Sequence, residues 1–117
     1  EPSGLKQVEK SMTMLLGFVQ KNPGMTRVLI GEALVNEDER LQARINQLLD
    51  RVEASLKQSL RFAAQQGEVD AAVDGAAYAS LLLNLVVGRW HQFAKSGFKR
   101  DPMALWPEHW KAVLNSF

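Results

Sequence analysis

The sequence predicts an all-α fold. Apolar residues recur along the chain at spacings of three and four, the period of a helix with one buried side. Asparagine, aspartate, proline and glycine fall between those periodic runs, where helices start and stop. One run, Ala71 to Phe98, is too apolar to lie on a surface. In it, Ala79, Leu83, Val86, Trp90 and Phe93 form one stripe, and Tyr78, Leu82 and Leu85 form a second beside it. A helix apolar over that much of its circumference is a buried helix. In so short a chain its own helices are expected to cover one stripe and a second copy the other, which makes this the dimerisation helix. Asp74, Ser80, Asn84 and Arg89 interrupt the run well short of the about 18–20 apolar residues that a membrane span needs.

Leu5, Val8, Met12, Leu15 and Val19 place a first helix over about residues 4–20, started by Pro2-Ser3-Gly4. Asn22-Pro23-Gly24 ends it, because proline disfavours helical geometry in the residue before it and suits the first position of a new helix. Asn22 is then the expected N-cap of a short helix from Pro23 to Leu34, with Met25, Val28, Leu29, Ala33 and Leu34 on its apolar side. Gly31 falls inside that helix and suggests close packing against a neighbour.

Asn36-Glu37-Asp38-Glu39 combines a cap, a capping-box glutamate and carboxylates at the positive end of a helix dipole. From there Leu41, Ile45, Leu48, Val52, Leu56, Leu60 and Ala63 stay in phase up to Gly67, a C-cap, giving a helix of roughly 40 Å. Arg40, Arg44, Asp50, Arg51, Glu53 and Lys57 read as its solvated faces. Asp70 is the expected cap of the central helix, which fades at Lys95-Ser96-Gly97. Met103, Trp106, Trp110, Val113 and Phe117 then define a fifth helix with Pro107 near its start. Its narrow aromatic seam suits a helix packed beside the dimerisation helix against a second subunit. The self-association face is therefore expected to comprise Leu82, Val86, Trp90, Phe93, Trp106, Trp110, Val113 and Phe117.

At 117 residues the chain is one domain, residues 1–117, large enough to fold without disulfides or metal. It has no cysteine, which removes disulfide frameworks and cysteine-ligated zinc and is compatible with a reducing cytoplasm. A net charge of +1, from 14 basic and 13 acidic residues, is not that of a nucleic-acid or membrane-surface binder, so DNA contact is expected from another segment. The chain begins at Glu1 without a signal peptide and is expected to be a fragment lacking N-terminal residues.

No catalytic constellation emerges. His91 and His109 are isolated and have no cysteine or H-E-x-x-H partner, and Ser55, Ser59 and Ser80 lie within helical patterns without a nucleophile turn. No glycine-rich phosphate cradle is present, so no enzyme activity, cofactor or metal is expected. Met12, Phe18, Met25, Phe62 and Tyr78, with Met14, are read either as core or as the lining of an apolar effector cavity. Gly17 to Gly24 forms a helix junction where a partner backbone could approach Gly17 and bond to Lys21 and Asn22.

Two sets of residues carry a resemblance. Gly67-Glu68-Val69-Asp70, Asp74, Ala79, Leu82 and Gly88 resemble the dimerisation half of TetR-family regulators. The run Leu15-Leu16-Gly17-Phe18, Asn22-Pro23-Gly24-Met25-Thr26-Arg27, Gly31, Ala33, Leu34 and Arg40 to Leu48 is similar to the nucleoid-occlusion subgroup of that family. The resemblance implies a five-helix C-terminal domain whose last two helices form a four-helix bundle with a second copy. It also implies DNA binding through an N-terminal helix-turn-helix domain absent here, nucleoid association in the cytoplasm, no membrane, and contact with the tubulin-like division protein. Carried over by position, that contact involves Met14, Gly17, Lys21 and Asn22, with Met14 in place of the subgroup's leucine and Lys21 of its arginine. The second reading is a ligand-responsive TetR-type repressor, in which an apolar effector shifts the two DNA-binding heads.

Overall fold

The computed structural model describes residues 2–31 and 39–117. Those residues form α1 (Gly4–Lys21), α2 (Pro23–Leu29), α3 (Glu39–Gln65), α4 (Gly75–Lys95) and α5 (Trp106–Ser116), with no strand among them. The all-α prediction and the order of the five helices hold.

The boundaries follow local chemistry. Ser3 caps α1, its hydroxyl accepting from the Lys6 amide at 3.2 Å. Asn22 sits between α1 and α2, but its side chain makes no capping bond to α2. It turns back to donate to the Phe18 carbonyl at 2.9 Å, so it closes the C-terminus of α1 instead. α2 stops at Leu29, five residues earlier than the sequence suggested, because Gly31 adopts a φ of +81° and turns the chain out of the helix. The predicted continuation through Ala33 and Leu34, and the capping box beginning at Asn36, lie outside the described residues.

Gly67 ends α3 with a φ of +78°, while the Glu68 amide donates to Ala63 and the Gly67 amide to Ala64. α4 is capped by Asp74, whose carboxylate accepts from Ala77, whereas Asp70 accepts from Ala72 and organises the preceding turn. At the other end Gly97 takes a φ of +67°, the Phe98 amide donates to Phe93, and their rings meet edge to face at 5.3 Å. That pairing is the apolar contact that accompanies such helix ends. α5 begins at Trp106, so Met103 lies in the turn before it and Pro107 in its first turn.

α1 and α3 pack antiparallel, and their closest approach is at Gly4. A Cβ there would lie 2.4 Å from the Ser59 carbonyl oxygen and 2.5 Å from the Ala63 amide. α4 lies against both. Its Trp90 indole donates to the Leu15 carbonyl at 3.0 Å, and the Trp106 indole of α5 donates to the Thr13 hydroxyl at 3.2 Å. Val8, Met12, Leu16 and Val19 of α1 meet Leu56 and Leu60 of α3 and Ala79, Leu82 and Val86 of α4 in one buried cluster. Burying an aliphatic side chain of this size is worth about 1.5–3 kcal/mol, so this cluster is the main stabilising element of the fold.

Candidate partner-binding and self-association faces

The four residues carried over as a partner site lie together at the C-terminal half of α1. Met14, Gly17 and Lys21 are spaced three and four apart, on one outward edge of the helix, and Asn22 follows at the junction with α2. Met14 is 65% exposed. Lys21 and Asn22 are exposed, and a Cβ on Gly17 would meet nothing within 4 Å. Gly17 is therefore not kept small by a neighbour within the chain. The junction leaves bare backbone beside a thioether, an ammonium and an amide that is already oriented by its bond to Phe18.

Phe18 and Met25, read from the sequence either as core or as the lining of an effector cavity, are instead exposed beside that edge, Phe18 to 45%. The other members of the set are scattered. Met12 is fully buried in the core, Phe62 borders a polar furrow shared with Gln7, Gln58 and Gln65, and Tyr78 bonds to Ser116 and packs on Phe117 with ring centroids 4.5 Å apart. These five residues do not converge on one cavity.

The residues expected at the self-association face are largely covered within the single chain. Leu82 and Val86 are fully buried within the single chain, and Trp90, Phe93, Trp106, Trp110 and Val113 are nearly so. Phe117 is half-buried against Tyr78. Side chains already covered by α1, α3 and α5 have almost no surface left to offer a second copy. What α4 presents outward is the row Leu81, Leu85, Gly88 and Gln92, and the chain before α5 adds Leu105. Leu81 is 52% and Leu105 63% exposed. A valley of about 440 Å³ runs between these helices, bordered by Asn84, Leu85, Gly88, Gln92, Leu105 and His109.

Arg89 sits at the base of that valley and is a residue whose role the sequence did not reveal. It is 9% exposed, yet its Nη1 donates to the Pro102 carbonyl at 2.8 Å and to the Ala104 carbonyl at 2.6 Å, and its Nη2 bonds to His109 Nδ1. Burial lowers the guanidinium from its usual pKa and the Asp101 carboxylate offsets part of that shift. The signal was a cation in the middle of the apolar stretch from Leu81 to Phe93, which needs a buried set of acceptors. Arg89 fastens the turn that leads into α5 and so fixes the direction of Leu105, whose own φ is +59°. Among the described residues no cluster of metal-ligating side chains occurs, and no helix is long and apolar enough to cross a membrane.

Comparison with known proteins places these faces in a family. Residues 3–117 match the SlmA-like family described as tetracyclin repressor-like, C-terminal domain. The chain is 39% identical over 116 residues to the nucleoid occlusion factor SlmA of Marinomonas sp. (strain MWYL1), covering 99% of this chain and 59% of that protein. It is 42% identical over 116 residues to that of Vibrio cholerae, again covering 99% and 59%, and 38% identical over 117 residues to that of Alteromonas mediterranea, covering 100% and 60%. The chain thus spans about three-fifths of the length of these curated relatives. The family match runs from the cap of α1 to the final residue, and the chain belongs to the SlmA-like family of tetracyclin repressor-like C-terminal domains.

Proposed function

We propose that this chain is the self-associating, partner-binding part of a longer DNA-binding protein that acts in nucleoid occlusion, restraining assembly of the tubulin-like division protein near the chromosome. The observation that carries this reading is the open edge at Gly17, flanked by exposed Met14, Lys21 and Asn22. Space for a Cβ at a helical glycine, with a cation and a pre-oriented amide beside it, suits close approach of a partner backbone. Its similarity to nucleoid occlusion factors SlmA supports the biological setting. Self-association runs through the outward row of α4 and Leu105, supported by the exposure of Leu81 and Leu105. Pairing two copies of that face sets the separation of two DNA-binding heads carried by the rest of the protein.

The test titrates the division protein into the intact DNA-bound protein, comparing wild type with Gly17→Leu and with Lys21→Ala. A Cβ at position 17 meets nothing within 4 Å in the chain, so Gly17→Leu sets its side chain on the approach surface. Saturable binding by wild type, lost in Gly17→Leu with helicity and DNA affinity retained, is the expected result. Equal binding by both proteins would exclude this edge as the site.

A further inference from the structure

Of the three groups that Arg89 holds, two are carbonyls and the third is a side chain that can change its charge. Arg89 Nη1 donates to Pro102 at 2.8 Å and to Ala104 at 2.6 Å, while Nη2 meets His109 Nδ1. A guanidinium only donates, so Nδ1 must supply a lone pair, and the His109 ring is neutral with its proton on Nε2. Protonating Nδ1 replaces that lone pair with a second N–H. The bond is lost, and an imidazolium then faces a guanidinium.

The charged groups bordering the valley with His109 are Arg89 from α4 and Arg100 and Asp101 from the segment between α4 and α5. On α5 itself, Glu108 and Lys111 flank His109 and are exposed. α1 packs on α5 at Trp106 but gives the valley no charged residue among those described. Asp101 is already engaged, its Oδ1 accepting from Gln20 Nε2 at 2.9 Å and from the Met103 amide at 2.8 Å. With His109 neutral the lining carries two cations, Arg89 and Arg100, against that one carboxylate. Protonation adds a third cation and no acceptor.

His109 is exposed in the single chain, where water screens an added charge. The valley opens, however, on the face assigned above to self-association, between the outward row of α4 and Leu105. A second copy closing over it displaces that water, and a charge taken out of water without a partner is costly. In a two-fold pair the same cost arises in both copies.

Resting on the self-association reading above, we infer that His109 makes the pairing of two copies pH-dependent: the neutral ring accepts from Arg89 and lets the valley close, and the imidazolium opposes closure. Histidine ordinarily changes charge between about pH 5 and 8. Because the paired state favours the neutral ring, association strengthens as the pH rises through that range and weakens as it falls.

The experiment measures the dimer dissociation constant of the intact, fluorescently labelled protein by sedimentation at about pH 7.5 and about pH 5.5, within histidine's ordinary range and above that of carboxylates. It compares wild type with His109→Asn, His91→Gln and Leu81→Glu, and circular dichroism checks helicity at each pH. Asparagine carries its oxygen on the carbon that bears Nδ1 in histidine, so it can accept from Arg89 at either pH. His91 is the other histidine of the chain and does not border the valley. Wild type and His91→Gln should pair about tenfold more weakly at the lower pH, while His109→Asn pairs equally at both. Equal weakening in His109→Asn, or loss of the pH dependence in His91→Gln, would overturn the inference. A wild type that pairs equally at both values, alongside dissociation of Leu81→Glu, would overturn it and leave the self-association reading standing. Dimers that survive Leu81→Glu would remove both.

Discussion

The guanidinium of Arg89 holds the carbonyl oxygen of Ala104 at 2.6 Å, across the base of the valley between α4 and α5. The same nitrogen holds Pro102, so one side chain satisfies two carbonyls of the turn that enters α5. Arg89→Met should cost about 2–3 kcal/mol, because charge-assisted bonds of this kind are worth about 1.5–3 kcal/mol and their loss leaves part-buried acceptors unpaired. Lysine should not restore the loss, having no planar fork to span two carbonyls. Urea denaturation of Arg89→Met and Arg89→Lys measures both effects, and wild-type stability in Arg89→Lys would refute the two-carbonyl account.

Gly4→Ala places a methyl within 2.8 Å of three backbone atoms of α3, none of which can rotate away. Overpacking usually costs about 1–3 kcal/mol, and a backbone clash belongs at the upper end of that range. The denaturation midpoint should fall markedly, although alanine has the higher helix propensity. A midpoint at or above wild type would show that α1 can slide along α3 at little cost.

Glu68 ties the end of α3 to the start of α1. Its carboxylate accepts chiefly from the Ser3 hydroxyl, then from the Leu5 and Gly4 amides, with Lys6 adding a favourable charge. Together these hold its pKa below the ordinary value of 4.5, against a smaller opposing effect of burial. A depressed folded-state pKa contributes stability that is present above the unfolded value and is lost as pH falls through the folded one. Stability should therefore decline below about pH 4.5, and Glu68→Gln should flatten that part of the profile while lowering stability at pH 7. Thermal unfolding followed from pH 7 downward tests the sign; parallel profiles for the two proteins would remove Glu68 from the account.

Neighbouring leucines on α4 should behave oppositely. Leu82 is wholly buried, so Leu82→Glu places a charge in the core and should unfold the chain. Leu81 is half exposed, so Leu81→Glu should leave the helices intact and disrupt self-association. Circular dichroism with sedimentation equilibrium separates the two outcomes. Dimers that survive Leu81→Glu would exclude the outward row of α4 as the interface.

Much of the fold was legible because helices announce themselves locally. The spacing of Val8, Met12 and Val19 by four and seven, and the glycine at 67, are properties of short stretches, and each reappears as a buried row or a left-handed helix end. Gly31 was misread for a related reason. A glycine within an apolar pattern can continue a helix or end it, and only its φ of +81° distinguishes the two. Asn22 stands at the N-cap position of α2 as expected, but its side chain bonds back to Phe18 of α1, since either neighbour offered it a partner.

The sequence by itself determined the helical class, the order of the elements, the buried character of α4 and the residues at the Gly17 edge. Periodicity reports that a residue prefers to leave water, and that preference is written in the residue itself. It does not report what covers the residue. Leu82, Val86 and Trp110 satisfy that preference inside their own chain, because α1, α3 and α5 close over faces that the pattern left for a second copy. The tertiary structure alone decided that Leu81 and Leu105 face outward and that Arg89 finds its carbonyl acceptors thirteen and fifteen residues away. The physical reason is that burial, hydrogen-bond partners and local charge are set by neighbours in space, which helix packing brings together from distant parts of the chain.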